Sequence, residues 1–279
     1  MVDSTAIAVI EGFEAERPKS AVLKQPSTER PRCTPTSALS CTVVYCTADD
    51  LLPGKPGNAR RRVTDAEIAT LCVAQAIMGI PSDRRFLAVA CKRLGHLFPE
   101  LPQQPGSVET TRRSALADAA DYGYCASHSR FFWGFRLHRL FAPDGTPRAF
   151  SLASPKRDER EVGIELLERA NRSGGEILIG DKGYAGREFA AAVAELDATI
   201  VRPSRKNEAD NGIHLAPIRQ RIESIFWTCK DILTLERHGA RTLHNLRVRI
   251  AQRFLALAAC VSLNHRLGRP SRALVDYVA

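Results

Sequence analysis

Apolar residues first settle into a helical rhythm near residue 64. In RRRVTDAEIATLCVAQAIMGI, Ile68, Leu71, Cys72, Val73 and Ile77 recur along one helix face, and Thr64 or Asp65 stands where an N-cap belongs. Beyond Pro81, SDRRFLAVACKRLGHLF predicts a second helix, with Asp83 near its start and arginines across it. VVYCTADDLL (43–52) predicts a short helix closed by the PGKPG linker at 53–57. Together these predict a small helical domain over 43–100. Residues 1 to about 40 mix Pro, Ser, Thr and charge without periodicity, so 1–42 are expected to form a poorly ordered extension.

The period changes downstream. The stretch from Glu100 to Ser129 contains no strand-like run. WGFRLHRLFA then alternates Phe135 and Leu137 with Arg136 and His138; a turn at Pro143-Asp144-Gly145 and a second run, RAFSLA, complete a predicted β-hairpin. DEREVGIELLERAN (158–171) reads as a helix, ILIG (177–180) as a buried strand, GREFAAAVAEL as a helix and ATIVRP (198–203) as a strand. That order predicts an α/β layer with at least two parallel strands. From Ala216 onward the chain reads as helical, with a break at His238-Gly239.

Composition changes this picture mainly through charge. At 279 residues, 44% apolar and 25% charged, the chain can bury the core of one large domain or two modest ones. Its net charge is +9, and the segment from Arg202 to Arg272 holds 14 Lys/Arg against 5 Asp/Glu, so the rest is nearly neutral. A basic C-terminal quarter is a footprint of nucleic-acid binding. The cysteines (Cys33, Cys41, Cys46, Cys72, Cys91, Cys125, Cys229 and Cys260) include no Cys-x-x-Cys pair, which favours small buried residues over disulfides or a zinc site. No basic start leads into an apolar run, and Phe254 to Leu263 is too short to span a bilayer. A cytoplasmic protein without a membrane partner is expected.

Candidate chemistry begins at EILIGDKGYAG, where a buried-looking strand ends in a lone Asp181. The carboxyl ends of strands in open α/β sheets are where functional groups gather, although a lone aspartate there also serves as a cap. In APIRQRIESIFWTCKDI, Arg219, Glu223 and Lys230 fall within about 40° of one another on a helix, and Ile218, Ile222, Ile225 and Phe226 face the core. An ordinary ion pair of Arg219 with Glu223 is the plainer reading. Two carboxylates meeting from a strand end and a helix would suit Mg²⁺ or Mn²⁺, hard cations that take oxygen ligands. Asp181 and Glu223 are thus the candidate catalytic and metal-binding pair. Arg219, Lys230, Lys182, Arg202, Arg205 and Lys206 are the cations expected to hold DNA phosphates.

GDKGY (180–184) followed by Arg219-x3-Glu223-x6-Lys230 resembles the second and third acidic positions of bacterial insertion-sequence transposases of the DDE class. Their Y-x2-R-x3-E-x6-K signature is matched except that Ala216 replaces the tyrosine. YGYCASHSRFFWGFRLH (122–138) and the segment 62–106 resemble one branch of the same enzymes. The resemblance implies an RNase H-like mixed sheet flanked by helices over 101–275, preceded by the helical domain. It further implies two metal ions in an intact relative, and a substrate made of the terminal inverted repeats and target DNA. A homodimer in the synaptic complex and association with the nucleoid while DNA is bound complete the expectation. The family also carries a first catalytic aspartate in an Asp-Ser-Thr-Pro-like motif at the end of the first sheet strand. Here Gln104-Pro105-Gly106 runs straight into the stretch that should follow it, so this aspartate and its strand are expected to be missing. Asp3-Ser4-Thr5 imitates the motif but lies within the extension; Asp49, Asp50, Asp118 and Asp121 are the remaining substitutes. Transposition chemistry by two-metal catalysis is therefore the implied function, with this copy expected to be inactive or nearly so. The alternatives are a DNA-binding remnant that cuts nothing and a basic structural protein whose acidic residues form surface ion pairs.

Overall fold

The computed structural model describes residues 2–10, 37–52, 63–98, 100–101, 116, 119–125, 130–170, 172–205, 208, 215–274 and 277, with backbone alone for 2–10, 37–40, 125, 130, 216 and 219. In chain order the elements are β1 (Val2–Ile10), α1 (Ser37–Leu51), α2 (Asp65–Ile77), α3 (Asp83–Arg93), β2 (Asp121–Cys125), β3 (Arg130–Phe141), β4 (Pro147–Ala153), α4 (Glu159–Arg169), β5 (Glu176–Ile179), α5 (Arg187–Glu195), β6 (Ala198–Val201), α6 (Ala216–Trp227) and α7 (Leu243–Arg266). Short 3-10 turns cover Lys182–Tyr184 and Leu235–Arg237, and a π-helical turn covers Thr228–Ile232.

One mixed sheet of six strands runs β2–β3–β1–β5–β6, with β4 also paired to β3. The long β3 serves two partners along the same side. Its first half pairs antiparallel with β2, Asp121 opposite Gly134, and its second half with β4, Arg136 opposite Ala153. The expected hairpin turn is built as the residues suggested: the Asp144 carboxylate accepts from Thr146 N at 2.8 Å, and Gly145 takes a φ of +96°. β5 and β6 are parallel, as the strand–helix–strand order implied.

Two expectations about strands need correction. Residues 2–10 were read as part of an unstructured extension and the first sheet strand as missing. Val2–Ile10 instead form β1 in the middle of the sheet, parallel to β3 (Val2 opposite Phe135 through Ala8 opposite Phe141) and antiparallel to β5 (Ala8 opposite Ile179 through Ile10 opposite Ile177). Val2, Thr5, Ile7, Val9 and Ile10 are β-branched and favour extended backbone, and the facing ladders of β3 and β5 both need a partner. The stretch 100–129 also contains a strand, β2. Its signal is the alternation of Tyr122 and Tyr124 about Gly123, where a Cβ would lie 2.5 Å from Phe132 and from Pro155.

The helices begin where their caps lie. Thr64 and Glu67 form a reciprocal capping box on α2, and the Ser82 side chain caps α3. Leu71 and Ala74 of α2 pack with Phe86, Ala90, Leu94 and Phe98, while Val73 and Ala76 on its other side join the main core. That core consists chiefly of α7, through Leu246, Ile250, Phe254, Leu257 and Val261, against Phe135, Leu137 and Phe141 of β3. The basic C-terminal quarter is therefore central in position. Arg249 pairs with Asp83 at 2.6 Å, and buried Arg253, whose pKa burial lowers to about 10, donates to Arg249 O at 3.1 Å. Cys229 and Cys260 are buried and unpaired; burial pushes the Cys260 thiol up to about 12.

At the start of α4 the Asp158 carboxylate accepts from Arg160 N at 2.7 Å and pairs with the Arg160 guanidinium at 2.6 Å. The Arg160 side chain first, then its backbone N–H, lower this carboxyl from 3.8 to about 2. A depressed carboxylate contributes stability fully above its unfolded pKa and loses it as pH falls toward the folded value. Asp158→Ala is expected to cost about 1 kcal/mol at neutral pH, and the deficit should shrink below about pH 4. Urea unfolding of both proteins across that range checks it.

Candidate functional site

Asp181 sits just beyond β5, and its surroundings explain the residues that follow it. Gly180 N donates to Val201 O at 3.0 Å, continuing the parallel ladder, and a Cβ on Gly180 would press on Ile200 and Tyr184 at 3.1–3.3 Å. The chain then turns sharply. Asp181 O accepts from Tyr184 N at 3.0 Å, and Asp181 Oδ1 accepts from Lys182 N at 2.7 Å. Tyr184 dives into the core at 1% exposure, with its ring on Phe189 and its hydroxyl 3.4 Å from His138 Nδ1 of β3. A Cβ on Gly183 would meet Glu159 Oε2 at 2.6 Å, so any side chain there would push the tip of Glu159 aside. The turn is thus pinned from within while Asp181 and Lys182 remain exposed. The capping role is real, and it leaves the carboxylate open to solvent.

Glu159 received no role from the sequence, yet it lies against this turn. Its Oε1 takes a hydrogen bond from Arg136 Nη1 at 2.6 Å, and Arg136 Nη2 donates to Tyr124 O at 3.4 Å. A chain of contacts therefore joins the Asp181 turn to the β2–β3 hairpin. Only the position of Glu159 as the first residue of a capped helix could have drawn attention to it.

Glu223 is exposed on α6, while Ile225 on the same helix is buried. Ile218 and Ile222 pack with Leu215 against Ile179 and Val201, so α6 covers the carboxyl ends of β5 and β6. Phe226 faces inward as expected and receives the buried Arg139 guanidinium over its ring at 3.8 Å. Lys230 lies beyond the regular part of α6, in the π-helical turn. The π-helical turn is wider than an α-turn and rotates Lys230, which pairs with Glu236 at 3.3 Å. For Arg219 the backbone in α6 is the described part.

Of the other expected DNA contacts, Lys182 is exposed, and Arg205 Nη2 reaches Lys182 O at 3.3 Å. Arg202 grips Glu208 with both nitrogens at 2.7 and 2.8 Å, which holds that carboxyl near 2. Lys206 lies outside the described residues. Beside the Asp181 turn a pocket of about 570 Å³ is lined by Tyr184, Gly186, Arg187, Arg202 and Arg205 among others. Its walls are mainly cationic and apolar.

The candidate third aspartates occupy different places. Asp121 is held by Lys156 and Ser154, each at 2.7 Å, and these bonds lower its pKa. Asp49 and Asp50 are exposed near the end of α1, and Asp118 lies outside the described residues. Asp3 lies near the amino end of β1, opposite Arg136. Because β1 runs antiparallel to β5, that end projects past the carboxyl edge where Asp181 sits. Asp181 and Glu223 are hard oxygen donors suited to a divalent cation. Among the described residues, no group of three His, Cys, Asp or Glu side chains is placed to hold a metal ion.

No helix among the described residues is long and apolar enough to cross a membrane. No curated protein and no solved structure matches the chain. A family model described as Transposase DDE domain matches residues 102–259, which implies a DNA substrate and a role in transposition. That match runs from the approach to β2 into α7 and takes in more than half of the residues, so the chain belongs to the DDE-domain transposases.

Proposed function

We propose that this chain binds the terminal inverted repeats of an insertion sequence, holds Mg²⁺ or Mn²⁺ at Asp181 and Glu223, and cleaves DNA little or not at all. The observation that carries the reading is the pinned turn after β5, which presents Asp181 at the strand end that α6 covers with Ile218 and Ile222. What a divalent cation supplies there when bound is polarisation of a phosphodiester oxygen. Tyr184 anchors the turn and Lys182 N–H holds the Asp181 carboxylate, α6 carries Glu223 over the same strand end, and Lys182, Arg187 and Arg205 neutralise phosphates beside them. Aligning attacking and leaving oxygens takes converging carboxylates on paired ions, and two ligands leave an ion poorly fixed. On this reading 101–275 form the RNase H-like catalytic part, and 43–100 form a helical part locked to it through α2 and α7. Synapsis by a homodimer in the bacterial cytoplasm, on the nucleoid, completes the proposal.

Manganese binding followed by electron paramagnetic resonance is expected to report one weak site, lost in Asp181→Asn and in Glu223→Gln. Unchanged binding in both variants overturns the metal assignment. A cleavage assay on DNA carrying the mobile element's ends should give little or no product. Metal-dependent product that Glu223→Gln abolishes would overturn the inactivity, and Asp3→Asn is then the first variant to make. Duplex binding should weaken steeply with salt, and Lys182→Ala and Arg205→Ala should each reduce the salt slope by about 0.9. Point variants are the right probe because truncation into α7 removes the core helix.

A further inference from the structure

The hairpin of β2 and the first half of β3 extends beyond the sheet. β1 begins its pairing at Phe135, so residues 130–134 and their β2 partners project past the edge where Asp181 sits. One face of this arm is packed inward, with buried Phe132 against Gly123. The other carries Tyr122 opposite Trp133 and Tyr124 opposite Phe131, at 67%, 45%, 47% and 77% exposure. Ring centroids lie 4.6 Å apart in the first pair and 5.1 Å in the second. Among the described residues, Trp227 is the one exposed aromatic elsewhere.

We propose that this aromatic arm stacks unpaired DNA bases next to the Asp181 turn. The proposal rests on the reading of that turn as a DNA-processing site. Successive ring pairs on a strand are separated by about 7 Å, twice the roughly 3.4 Å rise between stacked bases, so one base fits between them. The face presents rings without aliphatic side chains, and every base offers a π-face to a ring. At the base of the arm Lys156 closes on Asp121 at 2.7 Å, which ties β2 to the chain that follows β4. Arg136 connects the arm to the site directly, donating to Tyr124 O and to Glu159, the residue pressed against Gly183. A strand whose end bases are splayed at the Asp181 edge would meet the arm across the bridge of Arg136 and Glu159.

Two probes separate this from general DNA binding: a blunt duplex and the same duplex with an unpaired thymidine tail, at one salt concentration. The wild-type chain should prefer the tailed duplex by roughly tenfold, the scale expected of stacking one base on an aromatic side chain. The double variant Tyr124→Ser, Phe131→Ser should lose roughly tenfold on the tailed probe while blunt-duplex affinity stays within about twofold. Phe131→Tyr, which keeps the ring, should bind as wild type, and thermal melting confirms that each variant folds. Absence of preference in the wild type, or equal losses on both probes, overturns the inference while leaving duplex binding intact. Failure to bind either probe removes the DNA-site reading as well. A change in self-association by sedimentation with unchanged DNA binding assigns the face to a second copy of the chain, and the stacking proposal falls.

Discussion

A chain lacking residues 1–10 is expected to lose its cooperative fold. Among the described residues, β1 is the one strand that joins the β2–β3–β4 side of the sheet to the β5–β6 side. It pairs with β3 from Val2 to Ala8 and with β5 from Ala8 to Ile10. Removing it leaves facing ladders of backbone N–H and C=O groups without partners. Each such group, if buried, costs about 1–3 kcal/mol, against a total folding stability of about 5–15 kcal/mol. Several orphans exceed the whole margin. The exposed edges of β3 and β5 would also recruit other chains, so the truncated protein should aggregate. Thermal unfolding followed by circular dichroism, comparing residues 11–279 with the full chain, decides the matter. A truncated chain that melts with equal cooperativity within a few degrees of the full one would return Val2–Ile10 to the status of an extension.

Tyr184 carries the second large effect. It is almost fully buried in the cluster of Leu140, Leu166, Leu167, Leu178, Phe189 and Val193 beneath the Asp181 turn. Tyr184→Ala removes a whole ring from that cluster and should cost about 3–5 kcal/mol by denaturant unfolding. Tyr184→Phe keeps the ring and loses the long hydroxyl contact to His138, at 3.4 Å, so it should cost far less than the alanine, about 1 kcal/mol. The ratio matters for function as well as stability. If the turn is what fixes Asp181, Tyr184→Ala should weaken manganese binding even though no ligand has changed, and Tyr184→Phe should not. Equal metal binding in both variants would mean that Asp181 needs no anchor.

The sequence was most informative where local rules and tertiary needs coincide. The β3–β4 hairpin, the N-cap at Thr64 and the parallel pair β5–β6 each follow from patterns within about two dozen residues. The strand-end position of Asp181 was legible for the same reason: a short apolar run ended in one carboxylate. β1 was not legible, because its place depends on partners far along the chain and local composition changes to Pro and Ser soon after it. β2 was hidden by brevity and by Gly123, a residue that weakens a strand signal while making room for Phe132 and Pro155. The basic quarter was legible in charge and not in packing. Charge counts do not say which face of a helix is wet, and α7 turns Leu246, Ile250 and Phe254 inward while Arg247 stays outside. The π-turn that holds Lys230 was not legible, since side-chain spacing assumes a regular helix.

The order in which the sheet can assemble differs from the order in which its strands are made. Val2–Ile10 leave the ribosome long before their neighbours, for β3 does not begin until Arg130 and β5 until Glu176. Throughout that interval an extended, β-branched segment must wait without a ladder on either side, and both of its pairings are of high contact order. Folding of the sheet is consequently a late, nearly post-translational event, slow beside the local closure of the β3–β4 hairpin. A cell producing this chain would have to shield its amino terminus during synthesis, and a bulky domain fused ahead of Val2 would hinder the last strand to find its place.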